Sequence, residues 1–149
     1  MAIVVTALGT AQSKSTAYAT LVIGSGIQVG DWLIVVTADE DGTGVVWYRP
    51  SGSGGGSEQT LNGDVTATNT GNVINRIHSI KALTASSASA DLYFQNASEA
   101  KAFAAYKITG LADTPFDKSS TGTGTSTTPS SGQTATLAQA DELLIGGIG

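Results

Sequence analysis

The feature that most limits the fold of this chain is a series of short apolar runs, each ended by glycine, proline or acidic residues. The runs recur at intervals of roughly 10 to 15 residues and favour Val, Ile, Thr and Tyr, a composition typical of strands separated by turns. No long segment has the three- and four-residue apolar spacing of an amphipathic helix. The pattern therefore predicts an all-β protein with little or no helix.

Three runs show most clearly how the strands are bounded. Residues 31–37 (DWLIVVT) are almost continuously apolar, which is typical of a central strand buried on both faces. Residues 16–23 alternate between two faces, and residues 45–49 (VVWYR) end at Pro50, which lacks the N–H that a sheet requires. Further strands are predicted at residues 3–8, 61–70, 74–83, 92–95 and 143–148.

Two segments have more than one interpretation. The Ala, Glu and Lys of residues 97–106 favour a helix, whereas the continuation AFAAYKIT favours a strand, and we predict a strand over residues 101–108. Residues 51–57 (SGSGGGS) have the composition of a flexible linker between domains or of a long surface loop within one domain. We predict a loop, because the residues before it would form only a marginal core by themselves.

The length of 149 residues is that of one ordinary domain. We predict a single antiparallel β-sandwich over residues 1–149, of jelly-roll or immunoglobulin-like type, with about 8 to 10 short strands. Residues 119–136 are rich in Ser, Thr and Gly and have almost nothing to bury. This segment is therefore expected either to be disordered or to form an edge strand.

Composition excludes several classes of function. Seven basic residues against twelve acidic ones give a net charge of -5, which argues against a nucleic-acid partner. The chain has no Cys and one His, so thiolate metal sites and His-rich sites cannot form. The N-terminal residues lack the features of a signal peptide, and no apolar run approaches the roughly 20 residues that span a bilayer. We predict a protein that is not an enzyme, with no cofactor and no membrane partner.

Two candidate chemical sites have competing interpretations. The acidic turn at residues 39–42 is a weak calcium candidate through Asp39 and Asp41, but it lacks the other ligands of a calcium loop, so we favour a hairpin turn. His78 is a candidate general base with Ser79 nearby. Because no nucleophile motif accompanies it, a structural role is favoured for His78.

Aromatic residues provide a candidate binding surface. Trp47 and Tyr48 are neighbours in a predicted strand, so one of them should point outward and could anchor an interface. Trp32 lies within an apolar strand and is expected in the core. A platform that stacks sugars or bases could draw on six aromatic residues, namely Trp32, Trp47, Tyr48, Tyr93, Phe94 and Phe103.

Two stretches of the chain, IQVGDWLIVVTADEDGTG and the part from AFAAYKITGL to the C-terminus, contain recurring structural phrases. These are VGD before an apolar strand, a GL…TPFD corner, a Ser/Thr/Gly/Pro stretch, and ADEL before a GG-containing apolar strand. Together they resemble β-sandwich modules of phage virion proteins and of large bacterial surface proteins. Modules of that family usually continue with further strands, so we expect a neighbouring subunit or coat protein to cover an open edge here.

The resemblance, together with the size of the chain, implies a capsid decoration (cement) protein. Such a protein would bind the major capsid protein on the outer capsid surface of the virion, as a homotrimer or another homo-oligomer, and would reinforce contacts between coat subunits. The expected interface comprises the N-terminal strand, the outward aromatic residue and the terminal apolar strand. The predicted interface residues are Ile3, Val4, Val5, Trp47, Tyr48, Leu143, Leu144, Ile145 and Ile148.

Two other functions remain open at the level of sequence. The first is a carbohydrate-binding adhesin module of a tail fibre or cell surface, which would use Trp47 or Tyr48. The second is a self-assembling extracellular filament subunit, in which a terminal strand completes the next subunit. Both alternatives place the protein outside the cell or at its surface.

Overall fold

The computed structural model describes residues 2–14, 16–40, 44–69, 73–96, 100–138 and 142–148. Within these ranges the chain has nine strands and no helix, which confirms the all-β prediction. The strands are β1 (Val4–Ser13), β2 (Tyr18–Val22), β3 (Trp32–Glu40), β4 (Val45–Arg49), β5 (Gln59–Thr60), β6 (Asn62–Thr68), β7 (Val73–Lys81), β8 (Asp91–Gln95) and β9 (Lys101–Thr109).

The strands form two antiparallel sheets that pack as a β-sandwich. The larger sheet has the order β1-β9-β3-β7-β6 and the smaller sheet has the order β2-β8-β4-β5. The segment predicted as helix or strand is strand β9, which pairs with β1 and with β3. Strand β1 is longer than the predicted residues 3–8 because an irregularity between Ala7 and Gly9 lets the pairing with β9 continue to Ser13.

The main core lies between the two sheets and depends on the alternation of β3. Leu33 and Val35 are fully buried there, against Val46, Leu92 and Phe94 of the smaller sheet. Trp32 and Ile34 point to the opposite side of β3, as successive residues of a strand must, and they are buried as well. The sequence-based prediction of a strand buried on both faces is therefore confirmed for residues 32–35.

A second apolar cluster covers the outer face of the larger sheet. Trp32, Ile34 and Ile108 are at most 8% exposed there. The side chains that pack on them include Ile3 from the N-terminal region, and Leu143 and Ile145 from residues 142–148, which we call the terminal segment. The terminal segment thus covers a sheet face that would otherwise expose a large apolar area.

The prediction of a terminal strand at residues 143–148 is wrong, because none of the residues 142–148 belongs to a strand. The terminal segment lies over the face of the sheet, whereas backbone hydrogen bonds are available only at the edges of a sheet. Its backbone approaches the sheet closely at Gly147, where a Cβ atom would lie 2.6 Å from Cγ1 of Val36. Leu144 and Ile148 point away from the sheet and are 89% and 81% exposed.

The glycine-rich residues 51–57 connect β4 to β5, which are paired neighbours in the smaller sheet. Hydrogen bonds from the backbone N–H of Gly52 to the carbonyl of Arg49, and from Gly55 to Gly52, close turns in this loop. Gly52 is buried at a φ of 74°, and a Cβ atom there would lie 2.4 Å from the carbonyl oxygen of Ser89. Only glycine fits this position.

Residues 119–136 contain no strand, so the edge-strand interpretation of this segment is wrong. Residues 121–136 are exposed throughout. The hydroxyl of Ser120 donates a hydrogen bond to the carbonyl of Ser131, so the chain folds back on itself within this segment. After the segment, the backbone N–H of Ala138 donates a hydrogen bond to Asp117 Oδ2 at 2.8 Å, so the chain returns to the region just before the segment.

The packing of the terminal segment predicts a difference between two adjacent leucines. Leu143→Ala should lower the free energy of unfolding by about 1–2 kcal/mol, because it removes apolar contacts with the Trp32 cluster. The matched change Leu144→Ala should alter it by less than about 0.5 kcal/mol, since that side chain faces solvent. Urea unfolding of both variants measures the difference, and equal effects would contradict the described packing.

Candidate functional site

The outer face of the smaller sheet carries a group of aromatic side chains. Antiparallel pairing places Tyr93 of β8 directly between Thr20 of β2 and Trp47 of β4. Tyr18 comes two residues before Thr20 in β2, so it lies on the same face of the sheet, and it is 51% exposed. We call Tyr18, Trp47 and Tyr93 the aromatic platform.

Tyr93 is the centre of the aromatic platform. Its ring centroid is 5.2 Å from that of Tyr18, with the two planes 26° apart, and 5.5 Å from that of Trp47, with the planes 52° apart. These are the offset and tilted arrangements that aromatic pairs prefer. The guanidinium carbon of Arg49 lies 4.3 Å from the Tyr93 centroid, within range of a cation–π contact.

Arg49 is held in place by Asp91, its partner in the β4–β8 register. The Arg49 Nε donates to Asp91 Oδ1 at 2.6 Å and the Nη2 donates to Oδ2 at 2.8 Å. This paired geometry is the strongest that a guanidinium and a carboxylate form, and it raises the pKa of Arg49 further above its usual range. The guanidinium therefore has little freedom to move off the Tyr93 ring.

An open depression of about 200 Å³ lies beside the aromatic platform. Its lining residues are Trp47, Arg49, Glu58, Tyr93 and Gln95. The site therefore places aromatic side chains next to a carboxylate and an amide that can hydrogen-bond to a ligand, and next to the guanidinium that Asp91 holds.

The structure decides which of the two adjacent aromatic residues faces outward. Trp47 lies on the outer face of the smaller sheet, whereas Tyr48 is fully buried between the sheets and its hydroxyl donates to the carbonyl of Thr84 at 2.9 Å. The prediction of Tyr48 as an interface residue is therefore wrong. Of the six aromatic residues considered as a platform, only Trp47 and Tyr93 belong to it.

The other four aromatic residues are buried, three of them between the sheets and one on the covered face. They are Tyr48, Phe94, Phe103 and Trp32. Sequence reasoning missed Tyr18, although the alternation of residues 16–23 places it on one face with Thr20 and Val22. The missing information was the pairing of β2 with β8, which brings Tyr18 to Tyr93 from a distant part of the chain.

The predicted interface residues at the chain termini are divided between two environments. Val4 and Val5 are 53% and 48% exposed, and Leu144 and Ile148 are exposed on the terminal segment. In contrast, the other three of these seven residues are used within the chain, because their side chains pack on the Trp32 cluster. They are Ile3, Leu143 and Ile145.

Buried charged groups occupy one end of the sandwich interior. Asp39 is 2% exposed, and its Oδ1 accepts a hydrogen bond from Arg76 Nη1 at 3.1 Å. Its Oδ2 accepts one from Asn96 Nδ2 at 2.6 Å. Burial raises the pKa of Asp39, and the positive charges of Arg76 and Lys101 oppose that change. The cluster therefore keeps a carboxylate inside the protein by surrounding it with donors.

The weak calcium candidate does not fit this arrangement. Both oxygens of Asp39 already accept hydrogen bonds, and the nearest charges are cations. Asp41 lies outside the described residues. Within the described ranges, no group of three or more His, Asp or Glu side chains is placed to hold a metal ion.

His78 lies inside the sandwich and is 3% exposed. Its Nε2 is 3.2 Å from the hydroxyl oxygen of Thr37. Burial, with a smaller effect of the Arg76 charge, lowers the pKa of His78 to about 4, so the ring is neutral at pH 7. Ser79 follows it in β7 and points to the other face of the sheet, where it hydrogen-bonds to Asp64. His78 and Ser79 therefore do not form a catalytic pair.

No protein-family model, curated protein sequence or solved structure matches the chain. In the part of the chain that the structure describes, no helix is long and apolar enough to cross a membrane. The site must therefore be interpreted from its own geometry.

The buried His78 predicts a dependence of stability on pH. Between pH 6.5 and about 4 the unfolded chain takes up a proton on His78 that the folded protein does not, so stability decreases as the pH falls through this interval. The decrease from this group should reach about 3 kcal/mol. His78→Gln should remove that part of the dependence.

Urea unfolding of the unchanged protein and of His78→Gln between pH 7.5 and 4 measures this contribution. Asp39 and Asp64, whose pKa values burial raises, are present in both proteins, so their effect cancels in the comparison. His78 is the single histidine of the chain, so no other imidazole contributes. If the free energy of unfolding changed with pH by the same amount in the two proteins, the prediction would be contradicted.

The Arg49–Asp91 pair predicts a large effect of replacing Arg49, because both side chains are mostly buried. Arg49→Met keeps an apolar stem near Tyr93 but leaves the carboxylate of Asp91, which is 5% exposed, without its counter-charge. We expect a loss of about 2–3 kcal/mol in the free energy of unfolding. The control Lys118→Met removes a neighbouring-residue contact with Asp117 and should cost less than about 0.5 kcal/mol. Calorimetric or urea unfolding distinguishes the two, and similar losses would contradict the assignment.

Proposed function

We propose that this protein is a non-enzymatic structural virion protein that binds the outer surface of a phage capsid as a decoration (cement) protein. The sequence phrases shared with virion β-sandwich modules support this proposal, as does the sandwich fold that those phrases imply. The partner is the major capsid protein, and the protein acts as a homotrimer or other homo-oligomer at local symmetry axes.

The observation that carries the proposal is the apolar surface at the two chain termini. Val4 and Val5 on β1, and Leu144 and Ile148 on the terminal segment, are between 48% and 89% exposed. Ile3, just before β1, and Leu143 of the terminal segment both pack on the Trp32 cluster, so both segments border the covered face of the larger sheet. Exposed apolar side chains beside a covered apolar face are candidate contacts with a partner protein.

Strand β1 adds a backbone feature to this surface. It is an edge strand of the larger sheet and has ten residues, none of which is charged. Proteins usually protect such edges with charges or prolines, because the unpaired N–H and C=O groups of an edge can pair with a strand of another chain. An uncharged edge beside exposed valines suits strand addition to a coat subunit.

The remaining exposed segments suit a repetitive partner. Residues 121–136 are exposed and uncharged, so they gain little within the monomer and can become ordered on a coat surface. Each contact contributes little, at about 25 cal/mol per Å² of apolar area before ordering costs. A capsid presents many equivalent sites, and linked copies in an oligomer then bind with greatly increased avidity.

Quantitative mass spectrometry of purified particles from the source tests the proposal. About one copy of this chain per major coat subunit is the expected result for a protein that decorates the whole capsid. A few copies per hundred coat subunits would contradict the capsid-wide role and indicate a fibre or vertex component. Absence of the chain from particles would overturn the proposal.

Substitutions in the terminal segment test the surface itself. The double variant Leu144→Ser/Ile148→Ser should fold with unchanged stability, because both side chains are exposed, and should bind particles lacking the protein at least about tenfold more weakly. Val22→Ser, which changes a 66% exposed residue on the smaller sheet, is the matched control. Equal binding by the double variant and the control would contradict this assignment of the surface.

A further inference from the structure

We propose that the aromatic platform, with the depression beside it, is a carbohydrate-binding site that takes one sugar ring of a polysaccharide at a time. This inference goes beyond the proposed capsid attachment, because it assigns a ligand to the smaller sheet, on the opposite side of the sandwich from the covered face of the larger sheet. The composition, size and rigidity of the site support this assignment.

The composition of the site matches the two kinds of surface that a pyranose ring presents. The C–H groups of a sugar ring form an apolar face that packs against aromatic rings, and its hydroxyl groups project around the edge. Trp47 and Tyr93 line the depression together with Glu58, Gln95 and Arg49. A ligand that is apolar throughout would make no hydrogen bonds to Glu58 and Gln95, whereas a sugar can make them.

The charges around the site argue against phosphate-rich ligands. Among the described residues, Arg49 is the single cation that lines the depression, and its Nε and Nη2 already donate to Asp91. Glu58 adds a negative charge. A nucleic-acid backbone requires several available cations, so base stacking on the platform lacks the electrostatic support that such binding needs.

The size of the depression indicates what part of a ligand it holds. Its volume of about 200 Å³ is below the roughly 300–1,000 Å³ of pockets that enclose a drug-sized molecule. It suits a single ring whose neighbours in a polymer lie along the sheet surface. Tyr18, which is 51% exposed and stacks on Tyr93, extends the aromatic surface beyond the depression for such a neighbour.

The site is largely formed before a ligand arrives. Tyr93 is held by Tyr18, Trp47 and Arg49, and Arg49 is held by Asp91. The side chains sit on paired strands of the smaller sheet, whose other face belongs to the main core. Ordering costs on binding are therefore small, which favours measurable affinity from a few contacts.

Affinity electrophoresis in gels containing xylan, mixed-linkage β-glucan, galactomannan, dextran or bacterial lipopolysaccharide tests this proposal on the full chain. Titration with the retarding polysaccharide, followed by tryptophan fluorescence, then gives the affinity. Trp32 is 8% exposed beneath the terminal segment, so a change in the emission reports mainly on Trp47. Trp47→Phe should remove most of this signal.

Two variants and one control make the test specific. Trp47→Ala should weaken binding by about tenfold or more through loss of stacking surface. Gln95→Ala, which keeps every ring, should weaken binding by about threefold or more through loss of hydrogen bonds. Phe116→Ala changes an aromatic residue that is 54% exposed outside the site, and should leave the affinity unchanged. Unfolding curves of all the variants confirm that they remain folded.

Retardation by one polysaccharide, with losses in the Trp47 and Gln95 variants alone, supports the proposal. Absence of retardation by every polysaccharide, or binding that Trp47→Ala leaves unchanged, overturns it. A change of oligomeric state in Trp47→Ala without polysaccharide binding also overturns it, and would indicate a second copy of the chain as the occupant. Particle binding by the Trp47 variants is expected to be normal, so failure here is distinguishable from failure of capsid attachment.

Discussion

The architecture depends on the burial of strand β3 on both of its faces. One face packs against the smaller sheet through Leu33 and Val35, and the other is covered by the terminal segment through the Trp32 cluster. Strands β7 and β9 satisfy its backbone on either side. A strand with no polar face can exist in water only if two separate layers cover it. The second layer here is an irregular segment and not a sheet. The side of the sandwich formed by the larger sheet therefore has a different surface from the side formed by the smaller sheet.

The outer surface of the terminal segment and the outer face of the smaller sheet differ in chemistry. On the covered face, some side chains of the terminal segment point inward to the Trp32 cluster and others point outward to solvent. The layer that completes the fold therefore also exposes apolar groups. On the smaller sheet, alternation separates Tyr48 and Phe94 in the core from Trp47 and Tyr93 outside. The ion pair of Arg49 and Asp91 then orients the outward rings.

The extent to which sequence predicted the structure can be traced to individual residues. The apolar run at residues 31–37 predicted a doubly buried strand correctly, because burial on both faces requires apolar residues at every position. The pair Trp47 and Tyr48 predicted one outward ring but not which, since alternation is symmetric until the partner sheet is placed. The terminal residues 143–148 have a strand-like composition but form no strand, because side-chain contacts with a sheet face require the same apolar residues as strand pairing does.

The sequence by itself determined the all-β class, the positions of the main strands and the absence of thiol or multi-histidine chemistry, because these follow from local alternation and from counting residue types. Tertiary structure alone decided the aromatic platform, the buried Asp39 cluster and the neutral state of His78. Each of these depends on residues that are distant in the chain and meet across strand pairs. Tyr18 reaches Tyr93, and Asp39 reaches Asn96, only through pairing and packing. The environment that shifts a pKa or stacks a ring is a property of the folded neighbourhood, which local sequence does not encode.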